Sequence, residues 1–346
     1  MATYILRRML LMIPTFIGIT FICFAVMRFV PGGPVEQAIM QYKAAMMGGG
    51  GGEVASGGSS NSTGEVSAEM VEELKRIYGF DKPFHIAYLD WFVKVLQFDL
   101  GESYSYQKPV WDVISSRFPV SMFFGGIGFV LSYLVCVPLG VMKATKHGQG
   151  FDWASSILVF VGYSIPGWAA GVVLLVLFGG GSYYNVFPLG GMQSMNYHDL
   201  DFWGRVADKF HHAVLPVFCY MMGSFATTTV LMKNSLMENL GQDYVRTAFA
   251  KGLSEKKAIF KHALRNSLIP LATGLGHFFS FLLAGSYLIE KVFDIHGMGL
   301  LSFESLISRD YPVTLGILVI SSILALIGNL LSDLIYALVD PRIRFK

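Results

Sequence analysis

Residues 119–142 read PVSMFFGGIGFVLSYLVCVPLGVM, and no residue in this stretch carries a charged side chain. A helix needs about twenty mainly apolar residues to cross the hydrocarbon core of a bilayer, because every backbone N–H and C=O in lipid has to be paired within the segment. The stretch meets both requirements. It therefore predicts a membrane-spanning helix, and with it an all-α membrane protein.

The rest of the chain shares this composition. Of its 346 residues, 53% are hydrophobic and only 14% are charged, whereas soluble domains carry about a quarter charged residues. Six stretches have the length and polarity of a span: 9–29, 119–142, 155–179, 213–232, 268–289 and 313–337. The first follows Arg7 and Arg8 as a secretory signal would, but its apolar run is too long and no small-residue cleavage site follows. We interpret it as an uncleaved first span.

The basic residues predict the orientation of these spans. They cluster in alternate segments, at Arg7, Arg8, Lys143, Lys146, Lys233, Arg246, Lys251, Lys256, Lys257, Lys261, Arg265, Arg342, Arg344 and Lys346. Short loops rich in Lys and Arg remain on the cytoplasmic side of a membrane. Residues 31–118 hold eleven acids against seven Lys and Arg, and we expect them outside. Both termini are then cytoplasmic.

The predicted organisation has four parts. They are a cytoplasmic N-terminus with the first helix (1–30), a periplasmic segment (31–118) with a Gly/Ser-rich linker (48–63), a five-helix core (119–340) with a cytoplasmic loop (234–267), and a cytoplasmic tail (341–346). Within the periplasmic segment, charge order and Gly79 predict a short helix over 71–78. An aromatic-rich second helix is expected over 83–98, and lying on the membrane surface is one interpretation of it.

The cytoplasmic stretch 243–270, DYVRTAFAKGLSEKKAIFKHALRNSLIP, contains two short helices with a bend between them. Asp243 suits an N-cap and Gly252 the left-handed position after a helix, so the first helix is predicted over 244–251. Ser254 can cap the second helix, which leads into the fifth span. Gly252 to Ser254 then form a sharp turn.

The first of these helices is amphipathic. Tyr244, Val245, Ala248 and Phe249 share one face, whereas Arg246, Thr247 and Lys251 lie on the other. Such a helix can lie on the lipid surface or dock onto a protein partner. The periodicity alone leaves both interpretations open.

This stretch resembles the cytoplasmic signature of ABC importer permeases, Glu-Ala-Ala, three residues, Gly, nine residues, Ile-x-Leu-Pro. Arg246-Thr247-Ala248, Gly252 and His262-x-Leu264-Arg265 fall at those positions. Arg, His and Arg replace the diagnostic Glu, Ile and Pro. These replacements are usual in the dipeptide and oligopeptide permease branch, to which YVRTA-x-AKGLSE and KHALRNS are similar.

The resemblance continues along the chain in order. It includes ILRR at 5–8, VPGGP at 30–34, YGFDKP at 78–83, EKVF at 290–293, Gly297-Met298-Gly299, RDYPV at 309–313 and YALVDPR at 336–342. The Gly-rich insertion and the PGGPVEQAI start are most similar to YejB-like subunits. The resemblance implies a type I ABC importer permease fold and import of oligopeptides, dipeptides or microcin C-type compounds across the bacterial inner membrane.

The resemblance also implies partners. These are a second homologous permease forming a heterodimer, ABC ATPase subunits or one fused two-domain ATPase that binds ATP and Mg²⁺, a periplasmic peptide-binding protein and the lipid bilayer, without nucleic acid. The ATPase-coupling residues would be Tyr244, Val245, Arg246, Thr247, Ala248, Phe249, Lys251, Gly252, Leu253, Ser254 and Glu255. Gly297, Met298, Gly299, Arg309, Asp310 and Tyr311 would form a gate or contact the binding protein, although a plain loop is the alternative.

Other classes of protein lack their chemistry in this sequence. It has no Gly-x4-Gly-Lys-Ser/Thr loop, His-Glu-x2-His pair or Gly-x-Ser-x-Gly elbow, so we expect no catalytic residue, bound cofactor or metal. A secondary transporter would need intramembrane acids and paired broken helices. Asn329 and Asp333 share one face of the last span. They could line the passage, but we favour an inter-helix hydrogen bond near its cytoplasmic end.

Overall fold

The computed structural model describes residues 2–36, 38–40, 68–77, 79–180, 183–276 and 285–339. Across these residues the chain is helical apart from turns and loops, with two isolated β-bridges, Glu102 with Pro109 and Gly179 with Phe187, in place of a sheet. The prediction of an all-α protein is confirmed. The predicted linker 48–63 and tail 341–346 lie outside the described residues.

The α-helices follow one another in this order: α1 Ala2–Phe29, α2 Ala68–Ile77, α3 Phe84–Leu96, α4 Val110–Thr145, α5 Gly150–Ser164, α6 Gly167–Phe178, α7 Phe202–Leu240, α8 Asp243–Ala250, α9 Glu255–Ala258, α10 Leu264–Ser267, α11 Ile269–Gly276, α12 Tyr287–Val292, α13 Met298–Ile307 and α14 Tyr311–Val339. A 3₁₀ turn spans Tyr197–Asp199, and a π-helical turn spans Ile259–Ala263.

Four of these helices, α1, α4, α7 and α14, are long and apolar enough to cross a membrane. Helices α5 and α6 pass the same test only as a pair and meet at an angle of 95°, the geometry of either a broken span or a re-entrant loop, so the described residues contain four spans, or five if the pair is one span. The break lies at Ile165 and Pro166, because a residue before proline avoids the helical region and Ile165 is extended (φ −101°, ψ 118°). Much of the predicted span 268–289 falls on undescribed residues, so the count of six stays a prediction.

The chain forms two compact units. Unit 1 comprises Met1–Met12, Ile114–Phe303 and Ile320–Lys346, and unit 2 comprises Ile13–Val113 and Glu304–Val319. The described residues of the predicted periplasmic segment, as far as Val113, therefore fold with most of α1 and with the start of α14. Hydropathy could not indicate this grouping, because it does not report which helices pack together.

In unit 1, helices α4 and α7 approach each other closely through glycine. A Cβ atom on Gly140 would lie 2.6 Å from the Cβ of Met232 and 2.9 Å from the carbonyl oxygen of Thr229. The hydroxyls of Ser132 and Ser224 lie 3.0 Å apart across the same pair of helices. Small residues and paired hydroxyls are the usual means by which helices associate in lipid, where the hydrophobic effect supplies little attraction.

In unit 2, a buried carboxylate anchors the start of α14. Asp310 is fully buried, and its Oδ2 accepts hydrogen bonds from Ser103 Oγ at 2.5 Å and from the Ser105 N–H at 3.0 Å. Its Oδ1 accepts from the N–H groups of Tyr104 at 3.2 Å and Val313 at 3.4 Å. Asp310 thus caps the helix and fixes the loop before α4 to it.

The C-terminal end of α1 is also fixed by a charged side chain. Arg28 donates to the carbonyl oxygens of Gly79 at 2.8 Å and Lys82 at 2.7 Å, and its guanidinium lies 4.5 Å from the ring centroid of Phe80. An arginine at the end of a span would be expected to extend toward water. Here it instead binds the turn that precedes α3.

The glycines of unit 1 provide a matched test of close packing. We expect Gly140→Ala to destabilise the protein by about 2 kcal/mol, because the added methyl overlaps α7. Gly162→Ala in α5 is the control, since nothing lies within 4 Å of its Cβ position; it should be neutral or stabilising by up to about 1 kcal/mol. Thermal unfolding of the purified protein compares the two. Equal melting temperatures for both variants would contradict the close approach.

Candidate functional site

The predicted cytoplasmic helix is present as α8, Asp243–Ala250, one residue earlier than expected. Gln242 takes the N-cap position with extended backbone and makes no side-chain capping bond, so Asp243 is the first helical residue and not the cap. A carboxylate in the first turn still interacts favourably with the helix dipole. The sequence predicted the helix and placed its start within one residue.

The end of α8 is a Schellman motif centred on Gly252. Gly252 has φ of +81°, its N–H donates to the Phe249 carbonyl at 2.9 Å, and the Leu253 N–H donates to the Ala248 carbonyl at 3.3 Å. This pair of bonds defines the motif, and its left-handed residue is usually glycine. The predicted left-handed turn at Gly252 is confirmed. Ser254 stands at the N-cap of α9, although its side chain makes no capping bond.

One face of α8 packs into the core of the chain's own helical bundle. Val245 is fully buried and Ala248 is 6% exposed. The hydrophobic cluster around Val245 contains Val141 and Ala144 of α4, Met232 and Leu236 of α7, and Ile259, Ala263 and Leu271. The hydroxyl of Tyr244 also donates to Asn239 Oδ1 at 2.7 Å. Helix α8 is therefore held against the C-terminal parts of α4 and α7.

The other face of α8 is open to solvent. Phe249 is 42% exposed, and Arg246, Thr247, Lys251, Ser254 and Glu255 are exposed as well, while Leu253 is half-buried. This corrects the predicted four-residue docking face, because Val245 and Ala248 point inward and only Phe249 remains as an exposed large apolar side chain. Helical periodicity identified an apolar face but could not identify what covers it.

A buried ion cluster ties three helix ends together near α8, and sequence reasoning missed it. Both carboxylate oxygens of Asp152, in the first turn of α5, accept hydrogen bonds from Lys233 Nζ of α7 at 2.8 Å. Lys143 Nζ, in the last turn of α4, lies 3.1 Å from Asp152 Oδ1. The Gly148 N–H and His147 Nδ1 complete the cluster at 3.2 and 3.1 Å from Oδ2.

Lys143 is held unusually tightly in this cluster. Its side chain is 1% exposed, and its ammonium group also donates to Ser155 Oγ at 2.9 Å, Ser156 Oγ at 2.7 Å and the Asp152 carbonyl at 3.0 Å. A buried ammonium requires such partners. In the sequence, Lys143 and Lys233 serve only to predict the orientation of the spans. The sequence feature that could have indicated the ion cluster is Asp152, the single acid between residues 113 and 198.

The predicted outer turn at Gly297, Met298 and Gly299 is buried and held by Glu290. The Glu290 side chain accepts from the Leu300 N–H at 2.7 Å and from the Gly299 N–H at 3.3 Å. Ser121 Oγ accepts from the Met298 N–H at 2.7 Å. Glu290 therefore caps the N-terminus of α13 and fixes the turn before it.

The second predicted outer site, Arg309 to Tyr311, faces inward in unit 2. Asp310 and Tyr311 are buried, and Arg309 is half-buried with φ of +55°, a conformation uncommon outside glycine. Arg309 Nη1 donates to the Pro31 carbonyl at 2.8 Å. A role of these residues as a gate stays a prediction, whereas a contact with a binding protein would need them to become accessible.

The two candidate polar residues of the last span, Asn329 and Asp333, have different surroundings. Asp333 is half-buried, and its Oδ2 lies 3.0 Å from Arg8 Nη2, an ion pair without the alignment of a hydrogen bond. Asn329, one turn earlier, is exposed. Asp333 thus contacts another helix, but through an ion pair in place of the expected hydrogen bond, and Asn329 takes no part in it.

These features define a multi-pass membrane protein with a short helix packed on the ends of two of its spans. The chain belongs to the family described as binding-protein-dependent transport system inner membrane component, whose model matches residues 136–345. It is therefore a multi-pass protein of an inner-membrane transport family. The expectation of a transport subunit in place of an enzyme is confirmed by this membership.

Individual relatives cover the whole chain. It is 40% identical to the peptidoglycan transport system permease protein YejB of Agrobacterium fabrum (strain C58), over 100% of this chain and 99% of that protein. It is 39% identical to the inner membrane ABC transporter permease protein YejB of Escherichia coli O157:H7, over the full length of both. It is 32% identical to the oligopeptide transport system permease protein AppB of Bacillus subtilis, again over both full lengths. The resemblance to peptide permeases is confirmed.

The turn after α8 should depend on the positive φ angle of Gly252 and not on the space around it. Nothing lies within 4 Å of a Cβ on Gly252, so Gly252→Ala adds no overlap but should cost about 1 kcal/mol because alanine resists positive φ. Gly241→Ala, at a right-handed position (φ −76°), is the control and should not destabilise. Thermal unfolding and ATP-dependent uptake are measured for both variants. A Gly252→Ala variant as stable as the control would contradict the turn geometry.

The ion cluster predicts strong coupling between Asp152 and Lys233. Asp152→Asn leaves two lysines beside a neutral amide and should destabilise the protein by about 3 kcal/mol, because an uncompensated buried charge remains. Asp199→Asn, at an exposed position, should have no effect. A double-mutant cycle with Lys233→Met, followed by thermal unfolding, isolates the pair. Additive effects of the two substitutions would show that the pair does not interact.

Proposed function

We propose that this chain is the permease subunit of an ATP-driven importer that carries peptides or peptide-like compounds into the cytoplasm. The support comes from relatives that match it end to end and are named for oligopeptide, dipeptide and peptidoglycan transport. The packing of α8 against the span ends supports a subunit that receives mechanical input from a partner.

In this proposal α8 is the coupling helix. Its exposed Phe249 seats in an apolar cleft of an ABC ATPase, and Arg246 and Lys251 interact with acidic groups around that cleft. ATP and Mg²⁺ bind to the ATPase and not to this chain. Because Val245 is buried among side chains of α4 and α7, a displacement of α8 is passed to both spans.

The complete importer contains further subunits. A second, homologous permease pairs with this chain, and substrate passes between the two. Two ATPase subunits, or one fused two-domain ATPase, bind on the cytoplasmic side, and a periplasmic peptide-binding protein delivers substrate on the other. Both termini of this chain are cytoplasmic, in line with the basic residues near each end.

The exposed phenylalanine provides the sharpest test of the coupling role. Phe249→Asp should abolish co-purification of the ATPase and reduce ATP-dependent uptake at least about 30-fold, which corresponds to the roughly 2 kcal/mol carried by a central aromatic contact. The control is Phe202→Asp, since Phe202 is 70% exposed at the opposite end of α7 from α8. Uptake is measured in proteoliposomes with the ATPase and binding protein present. Normal uptake by the Phe249 variant would overturn the coupling role.

The substrate class is tested by growth and uptake of a deletion strain. The strain should lose uptake of at least one of three supplied classes: defined dipeptides, longer oligopeptides, or peptides released from peptidoglycan. Restoration by the wild-type gene, and not by the Phe249→Asp variant, links the loss to this subunit. Undiminished uptake of all three classes would contradict peptide import while leaving the coupling role intact.

A further inference from the structure

Helix α3 contacts α1 well below the outer end of α1. The Tyr88 hydroxyl lies 3.2 Å from Thr20 Oγ1 and donates to the Ile17 carbonyl at 3.3 Å. The Tyr88 ring packs edge-on against Phe21 and Phe24, with centroids 5.2 and 5.6 Å apart. These contacts lie within unit 2 and involve the middle of the predicted first span.

The position of these contacts along α1 gives their depth in the membrane. Helix α1 carries no charged residue between Arg8 and Arg28. At 1.5 Å per residue, Ile17 lies about 13 Å and Thr20 about 18 Å along the helix from Arg8, while the hydrocarbon core is about 30 Å thick. Tyr88 therefore meets α1 near the middle of the bilayer. The start of α3 lies beside the outer half of the span, where Phe84 packs on Phe29, and Phe92 packs on Phe16 close to the midplane.

The surface of α3 fits this depth. Ala87, Tyr88 and Val95 are buried within unit 2. Another face carries exposed apolar side chains, at Ile86 (42% exposed), Leu89 (57%), Val93 (49%) and Leu96 (61%). A helix lying on the membrane surface would carry a broad polar face, whereas α3 is apolar around most of its circumference. A helix of that kind belongs in a protein core or in lipid.

Two of the three ionisable residues of α3 line a cavity, while the third, His85, is exposed in the first turn of the helix. Asp90 and Lys94 line a cavity of about 800 Å³ together with Arg28, Asp99 and Glu102. Lys82 Nζ lies 2.5 Å from Asp90 Oδ2 at the same cavity. Ionisable groups at membrane depth face water-filled cavities or each other. The cavity therefore explains the position of Asp90 and Lys94, but it does not cover the exposed apolar side chains of α3.

We propose that α3 is embedded in the bilayer beside α1, from the outer side to about the midplane, and that the stripe formed by Ile86, Leu89, Val93 and Leu96 contacts lipid acyl chains. Helix α1 also exposes apolar side chains, among them Ile17, Ile22 and Val26, which are 41%, 61% and 54% exposed. Backbone groups of α3 are paired within the helix, as lipid requires. The chain thus enters the bilayer a second time between its first two spans. From the sequence alone, a helix on the membrane surface was the interpretation of this segment.

Spin labels can distinguish lipid from water at this stripe. Single cysteines replace Leu89, Val93, Ile22 and Lys94 in a Cys23→Ala background, since Cys136 and Cys219 are buried. The full-length protein is labelled with nitroxide and placed in phosphatidylethanolamine and phosphatidylglycerol vesicles. Collision rates with oxygen, which partitions into lipid, and with a water-soluble nickel chelate are then measured. Melting temperatures identify any misfolded variant, which is replaced by the same change at Ile86 or Leu96.

Labels at positions 89 and 93 should collide severalfold more with oxygen than with nickel, as the label at position 22 on α1 does. The label at position 94 should show the reverse. Nickel collisions at 89 and 93 equal to those at 94 would place the stripe in water and overturn the proposal. Protection of 89 and 93 from both reagents would also overturn it, because a protein partner would then cover the stripe.

Discussion

The burial of Val245 is the contact on which the functional account depends. A short amphipathic helix between two spans can lie on a membrane without packing on those spans, and its displacement would then not be transmitted to them. Val245 is instead fully buried in a cluster with side chains of α4 and α7, and protein interiors of that kind transmit displacement because they are close-packed. Helix α8 is therefore mechanically part of the bundle.

Two further features lie beside this contact of α8 with α4 and α7. The left-handed turn at Gly252 reverses the chain immediately after α8 and leaves Phe249 at its exposed edge. The cluster of Asp152, Lys143 and Lys233 adds the start of α5 to the ends of α4 and α7. Apolar packing thus joins α8 to α4 and α7, and charge pairs join the start of α5 to the same two helices.

Much of this was predictable from local pattern, and the remainder depended on tertiary contacts. The spans, the short helix and the turn follow from hydropathy, helix length and the conformational freedom of Gly252. The inward direction of Val245 and Ala248 does not, because an amphipathic pattern is the same whether a helix packs on its own chain or on a partner. Asp152 was missed because its partners are 9 and 81 residues away. Asp310 was identified as a candidate site residue, but its burial was not predicted because it depends on a loop more than 200 residues earlier.

The central claim is that α8 and the cytoplasmic ends of α4, α5 and α7 move as one body during transport. Nitroxide labels at Lys251 and Trp153, both exposed, report the distance between the α8 turn and the start of α5. Pulsed electron spin resonance on the assembled transporter measures this distance without nucleotide and after trapping with ATP and vanadate. The account predicts the same distance in both states, and a change of distance on trapping would contradict it.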